Sequence, residues 1–328
     1  MRYRRLGASG LRVSVVALGS MPFGSQVDEP LAHRILDRAC DAGINLVDSA
    51  EMYASPPTAE SYGRSEAIIG SWLRTRARDS VLVATKIAGP NDGMYGPIVE
   101  HIRGGSGTLD RHHLKRAVEG SLRRLGTDYI DLYQTHWPDR GTPIDLQLEA
   151  MERLIERGLV RYFGTSNETP WSLTRLSLLA GQSGRPRPVS VQNGYSLLER
   201  DFEAGLQEVC LEERIGMIAY SPLAMGLLSG KYRDGALPTG ARLSVFERYR
   251  RRYGTPSLLQ RAQQFVAHAD TAGLDPAAMA IAWVKDRPGV TSVLSSCTGE
   301  AQVDGLVSAA DLSLPPDLLR RLDEPGAG

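Results

Sequence analysis

The chain has 328 residues, 42% hydrophobic and 23% charged, and its 38 basic residues balance 38 acidic ones for a formal net charge of zero. That composition is globular, with length enough for a sizeable core, and the balance supplies no excess charge to draw nucleic acid or an anionic membrane surface. Cys40, Cys210 and Cys297 are too scattered for a disulfide framework or a zinc site, and no apolar run approaches the roughly 18 residues of a membrane span.

The chain opens on "RYRRLGASGLRVS", which predicts a hairpin turning at Ala8-Ser9-Gly10. The basic N-terminus is followed by a short, strand-like apolar run without a small-residue cleavage site. No secretory leader is therefore predicted, and a reducing cytoplasm is the expected location. From there one theme repeats. Short apolar runs fit buried parallel strands, and longer segments with helical periodicity follow them. Strands are predicted at Val15–Gly19, Asn45–Asp48, Val81–Lys86, Tyr129–Thr135, Val160–Gly164, Val189–Gln192, Met217–Tyr220 and Val290–Leu294. Helices are predicted at Glu29–Ala42, Ser65–Arg76, Asp110–Leu125, Asp145–Arg157, Pro170–Gly181, Phe202–Arg214, Ser257–Ala272 and Glu300–Ser308. Gly43, Gly126, Gly158 and Gly273 stand where helices end on a left-handed residue.

Eight strand–helix repeats without a composition shift predict a (β/α)8 barrel forming one domain over residues 1–328. The rival doubly wound sheet needs a Gly-rich turn between a strand and a helix, and "GGSG" at Gly104–Gly107 lacks that spacing. Two long loops, Ala88–Leu109 and Ala224–Pro256, follow strands. They are expected on the C-terminal face, where barrel enzymes build their sites.

Polar groups at strand C-termini of a barrel mark that face. "NLVDSAEMY" ends a strand in Asp48 with Tyr53 beyond it, "VLVATK" ends in Lys86, and "YIDLYQTHW" runs into His136. Singly, each has an ordinary explanation: a loop cap, a rim phenol, a solvated amine, a satisfied core imidazole. Together they converge on one mouth, and their chemistry is complementary. A free phenol titrates near 10, and a nearby ammonium favours its ionised form. A carboxylate behind the ammonium keeps it in place, and an imidazole can orient a carbonyl oxygen. The set suits polarising C=O, and the hydride must come from a nicotinamide.

The motifs resemble those of the aldo-keto reductase superfamily over nearly the whole chain. "GINLVDSAEMY", "DLYQTHW", "VRYFGTSN" and "AYSPLAMGLLSGKY" carry the resemblance in order, and "AEMYASPPTAESYGRSEAIIGSWL" and "VQNGYSLLER" look like its Tas-like bacterial branch, related to potassium-channel β subunits. The resemblance implies Tyr53 as general acid, Lys86 as its activator, Asp48 as the anchor of Lys86 and His136 as the carbonyl-orienting group. It implies NADP(H) as cofactor, with NAD(H) an alternative. Ser166, Asn167 and Gln192 would bond the nicotinamide amide, Tyr220 would stack on the ring, and Ser221, Pro222, Leu223 and Gly226 would wrap the pyrophosphate. Gly19, Ser20, Met21 and Gln26 match first-strand contacts, and Lys231 and Arg242 match basic residues reaching the phosphates.

The last strand departs from the family pattern. Ser296-Cys297-Thr298 replaces its Gly-Ala/Ser-basic run, Gln302 is kept, and Gly305-Leu306 stands where Glu-Asn is usual. Thr298 still offers a hydroxyl near a helix start that can take a phosphate, but without the Glu-Asn pair the adenine contacts are expected to be weaker, with looser cofactor affinity and a less certain preference for NADP over NAD. Cys297 is expected to be packing. His112-His113 make a poor metal pair, and "RYRRRY" at Arg248–Tyr253 is expected to be a solvated loop or phosphate-side flank. Met94, Tyr95, His101 and Tyr249–Tyr253 are candidates for the substrate pocket. The expected ligand is a small carbonyl or alcohol, with a homo-oligomer possible and no nucleic acid, membrane or metal. The alternative function is an NADP(H)-binding sensor resembling the channel subunits; a metal-dependent hydrolase would need more histidines at strand tips.

Overall fold

The structure is a computed structural model that describes residues 1–90, 102–105, 107–235 and 237–324. The predicted hairpin is β1 (Tyr3–Arg5) against β2 (Arg12–Ser14). Eight parallel strands then close a barrel: β3 (Val16–Gly19), β4 (Leu46–Asp48), β5 (Leu82–Ile87), β6 (Ile130–Thr135), β7 (Val160–Ser166), β8 (Ser190–Gly194), β9 (Gly216–Tyr220) and β10 (Val290–Ser296), with β10 returning beside β3. The molecule contains a (β/α)8 barrel, as the repeat predicts.

Side-chain alternation along each strand separates two apolar layers. Ala17, Leu46, Ala84, Leu132, Ile218 and Leu294 fill the barrel, and Leu6, Leu11 and Val13 of the hairpin join them. The hairpin thus stoppers the end where the strands begin. Val16, Leu18, Val47, Val83, Tyr133, Phe163, Val191 and Met217 belong to the outer layer under the helices.

Those helices are α1 (Glu29–Asp41), α2 (Arg64–Leu73), α3 (Arg111–Leu125), α4 (Ile144–Glu156), α5 (Pro170–Gln182), α6 (Leu206–Glu212), α7 (Arg242–Val245), α8 (Glu247–Tyr253), α9 (Pro256–Thr271), α10 (Pro276–Lys285), α11 (Glu300–Asp311) and α12 (Pro316–Asp323). In α1, Asp28 caps the first turn by accepting from Leu31 N, and Ala32, Ile35, Leu36 and Ala39 make the buried stripe. Gly43, Gly126, Gly158 and Gly273 all take positive φ, between 62° and 89°.

Two departures bear on function. The Ala224–Pro256 segment, expected as a long loop, folds into a 3-10 turn at Ala224–Ser229 and then α7 and α8. Between β9 and β10 the structure also holds α10, which the sequence reading missed. Nearly every α10 side chain is buried, so it lacks the polar face that marks a helix by periodicity. Its local signature is Asp275, whose side chain accepts from Ala278 N, followed by Pro276 in the first turn.

Helices α2 and α3 pack together at Gly70, where an added Cβ would lie 2.2 Å from the Arg124 carbonyl oxygen and 2.8 Å from Leu125 C. Backbone cannot yield as a side chain can, so Gly70→Ala is expected to destabilise the fold by about 1–3 kcal/mol, read from denaturant midpoints. Among the described residues no helix is long and apolar enough to cross a membrane.

Candidate active site

The open end of the barrel holds a cavity of about 540 Å³. Strand register builds its floor. Gly19 stands opposite Ser296 and Asp48, Lys86 opposite Gln134, and Ser166 opposite Gln192. Residues far apart in sequence therefore meet at one level of the barrel.

At this level lies a buried charge pair. Lys86 is fully buried and its Nζ donates to Asp48 Oδ2 and, at 2.8 Å, to the Ser49 carbonyl oxygen. The other oxygen of Asp48, Oδ1, accepts from Gln134 Nε2 at 3.0 Å and Gln192 Nε2 at 2.9 Å. A carboxylate this buried is tolerable only when its lone pairs are filled, and here three donors, Lys86 of β5, Gln134 of β6 and Gln192 of β8, fill them. Desolvation pulls the Lys86 ammonium below its ordinary value, against the opposing pull of Asp48. The Lys86 Nζ stands 5.2 Å from the centre of the Tyr53 ring.

Tyr53 meets His136 edge to face, with ring centres 5.7 Å apart, and His136 stacks on Trp137 at 4.1 Å. Burial, and then the Lys86 charge, hold the imidazole well below its usual value, so His136 is neutral at neutral pH. Its Nδ1 has no hydrogen-bond partner among the described residues. A neutral imidazole can donate a hydrogen bond to an oxygen without contributing a charge. The stability consequence has a definite sign. Below about pH 6.5 the unfolded chain takes up a proton that folded His136 refuses, so stability falls as pH drops from about 8 to about 5. His136→Gln is expected to remove that part of the slope in denaturation curves.

The other wall comes from β7, β8 and β9. Asn167, at φ 58°, donates from Nδ2 to His136 O at 2.8 Å and accepts the Tyr220 hydroxyl on Oδ1 at 2.7 Å. Ser166 donates to Gln192 O at 2.7 Å. The side chains of Ser166, Asn167 and Tyr220 thus form one hydrogen-bonded row at the cavity's edge, anchored on the Gln192 backbone, while the Gln192 side chain turns to Asp48.

Beyond Tyr220 the chain turns left-handed at Ser221, Ala224, Met225 and Gly226, with φ from 45° to 97°. Gly226 also lies close to the Lys231 side chain: a Cβ there would stand 2.8 Å from Lys231 Cε, which the flexible lysine would have to move to accommodate. Lys231 and Arg242 both line the cavity with Ser221, Pro222 and Leu223. No carboxylate stands against either one among the described residues; desolvation lowers both ammonium and guanidinium, and the Arg242 charge pushes Lys231 further down. Two cations sharing a concave wall are suited to a polyanion.

Gly19, Met21, Gln26, Ser296, Thr298 and Gln302 also line the cavity. Gln302 Oε1 accepts from Thr298 N at 2.8 Å, which closes the start of α11. The β10–α11 wall is otherwise neutral, through Cys297, Ala301, Gly305 and Leu306. Burial pushes the Cys297 thiol up to about 12, so it stays protonated.

Two matched residues lie outside the cavity. Lys86 is fully buried beneath the Tyr53 ring and does not line the cavity. Ser20, expected as a first-strand contact, points the other way: its hydroxyl donates to Asp48 O at 2.9 Å and accepts from Ser65 Oγ at 2.6 Å. Gly19 faces the mouth, and the next residue along the chain takes the opposite face.

Sequence reasoning missed Met225, Ser229, Asp275, Ala277 and Ile281, which line the cavity from the 3-10 turn and α10. The Asp275-Pro276 helix start was the available signal. Tyr249, Arg252 and Tyr253 of α8 do reach the cavity. They are helical where a loop was expected, and Glu199 secures them by accepting from Arg252 and, at 2.7 Å, from the Tyr253 hydroxyl. Met94, Tyr95 and His101 lie outside the described residues.

The aldo/keto reductase family matches residues 15–326. The chain is 40% identical to protein tas of Escherichia coli (strain K12), over 98% of this chain and 97% of that one. It is 36% identical to the uncharacterized oxidoreductase YrpG of Bacillus subtilis (strain 168), over 100% and 97%, and 32% identical to a probable voltage-gated potassium channel subunit beta of Arabidopsis thaliana, over 99% and 96%. With its strand-tip residues set around one barrel mouth and the family matched over nearly its full length, the chain belongs to the aldo/keto reductase family and is an oxidoreductase.

Proposed function

We propose that the chain is an NADP(H)-dependent oxidoreductase that reduces an aldehyde or ketone to an alcohol, or runs the reverse reaction, with Tyr53 as proton donor. The observation that carries this is the buried Lys86–Asp48 pair behind Tyr53, with neutral His136 beside the same ring.

The cavity suits a dinucleotide. Lys231 and Arg242 offer positive charge for the pyrophosphate, beside a left-handed turn of the kind that binds anions. Ser166, Asn167 and Gln192 offer amide-matching donors and acceptors, and the Tyr220 ring, held through its hydroxyl by Asn167, offers a flat face. Bound there, the nicotinamide supplies hydride, which no side chain can. The neutral β10–α11 wall leaves the 2′-phosphate less strongly read than a basic residue would, so NADP(H) is favoured over NAD(H) by a modest margin.

Each residue then has a defined part. Tyr53 and His136 hold the carbonyl oxygen between phenol and imidazole. As negative charge develops on that oxygen, Tyr53 gives up its proton and His136 keeps its own while donating a hydrogen bond. The ammonium of Lys86 stabilises the phenolate that remains, and Asp48 with Ser49 O prevents that ammonium from moving into the cavity. In the reverse direction the same phenolate accepts the alcohol proton.

The relation to channel β subunits raises a second reading, a cofactor-binding sensor without turnover. The buried pair favours chemistry, because an ammonium kept in a dry site costs stability that a sensor has no need to spend. The test is loss of reduced-cofactor absorbance across a broad set of aldehydes and ketones. Turnover of at least one is expected. Cofactor binding with no turnover on any carbonyl would favour the sensor.

A further inference from the structure

The segment carrying Tyr53 leaves the barrel after Asp48 and re-enters the fold as α2 at Arg64. It is tied at both ends to β5, the strand of Lys86, and each tie is a buried carboxylate. Near its start, Glu51 is fully buried. Its N–H donates to Lys86 O at 3.0 Å, its Oε1 accepts Ala88 N at 2.6 Å and Arg103 Nη1 at 2.5 Å, and its Oε2 accepts the Tyr62 hydroxyl at 3.1 Å. Arg103 donates its second nitrogen to Ala88 O at 2.8 Å. At the far end, Glu66 in the first turn of α2 is equally buried and accepts Thr85 Oγ1 and Arg124 Nε, each at 2.6 Å. Thr85 and Ala88 bracket Lys86. The Arg124 guanidinium also sits over the Tyr62 ring at 5.0 Å, so the two ties join into one network.

Neither Glu51 nor Glu66 lines the cavity. Buried ion pairs are seldom the most stable filling for their space; apolar side chains of similar volume often serve stability as well or better. What these pairs supply is geometry. Each carboxylate has fixed lone-pair directions, each is neutralised by an arginine from outside the Tyr53 segment, and each bonds a residue within two positions of Lys86.

We propose that Glu51 and Glu66 are positioning residues that fix Tyr53 over Lys86, with Arg103 and Arg124 as their neutralising partners. The inference rests on Tyr53 being the proton donor. It requires that loosening either tie lower the rate of the proton-coupled step while leaving cofactor and substrate binding in place.

The test uses the full chain with cofactor bound. Glu51→Gln and Glu66→Gln are expected to lower kcat by about tenfold to a hundredfold, as a displacement near 1 Å does, with KM and cofactor Kd changed by no more than about twofold. Backbone amides of residues 49–55 should exchange hydrogen faster than in the wild type, while those of β7–β9 do not. Should Glu51→Gln fail to fold, Arg103→Met and Arg103→Lys give the same test from outside the barrel. Lysine keeps the charge but not the second bond to Ala88 O, so its kcat should fall between wild type and methionine. Wild-type kcat together with wild-type exchange would overturn the proposal, as would a parallel loss of kcat and cofactor affinity. If Tyr53→Phe proved fully active, the proton-donor reading would fall, and the exchange data would still decide whether the carboxylates hold the segment.

Discussion

Tyr53→Phe is expected to lower kcat/KM for carbonyl reduction by about 10²–10⁴-fold, the usual worth of a positioned general acid, with cofactor affinity unchanged. The substitution removes one oxygen. The ring keeps its edge-to-face contact with His136 and its place beside Lys86, so the fold and the cavity walls remain. His136 cannot substitute, because it is held neutral by burial and by the Lys86 charge and has no proton it can readily yield. Steady-state kinetics with a cofactor titration on the same preparation check this. A fall in cofactor affinity to match the fall in rate would mean that Tyr53 shapes the binding site instead of donating a proton.

The second large effect concerns the charge pair. Lys86→Met leaves Asp48 buried with no cation beside it, although Gln134 and Gln192 still donate to one oxygen. Breaking a buried pair from one side costs about 3–5 kcal/mol, so unfolding midpoints should drop sharply and activity should be lost. The double variant Lys86→Met/Asp48→Asn removes both charges and should recover most of the stability while recovering none of the activity. That split separates what the pair does for the fold from what it does for the reaction. Equal stability of the single and double variants would contradict the assignment of Asp48 as the ionised anchor of Lys86.

The barrel could be read from the chain because its signal is local and repeated: apolar runs of strand length, amphipathic helices between them, and glycines at helix ends. Tyr53, Lys86, Asp48 and His136 stood out for a related reason, since each follows or ends an apolar run and strand order brings such positions to one face. Glu51 and Glu66 carried no comparable mark. In sequence they are ordinary charges on a loop and a helix start. Their burial depends on Arg103 and Arg124, 52 and 58 residues away, which only the packed structure brings near. Helix α10 was hidden by the opposite effect, burial so complete that no polar stripe remained. Ser20 was misplaced because motif matching assigns a residue to a site by its position in the chain, whereas strand alternation turns it toward Asp48 O and Ser65.

The central claim is that this barrel mouth transfers hydride to a carbonyl with Tyr53 supplying the proton. A single-turnover experiment tests it most directly, using reduced cofactor deuterated at the transferred position and a carbonyl substrate, with the alcohol analysed by mass spectrometry. One deuterium is expected on the carbinol carbon of the product with the wild-type chain, and no labelled alcohol on the same timescale with Tyr53→Phe carrying bound cofactor. Equal amounts of labelled alcohol from both chains, or tightly bound cofactor that never surrenders its label to any carbonyl, would contradict it.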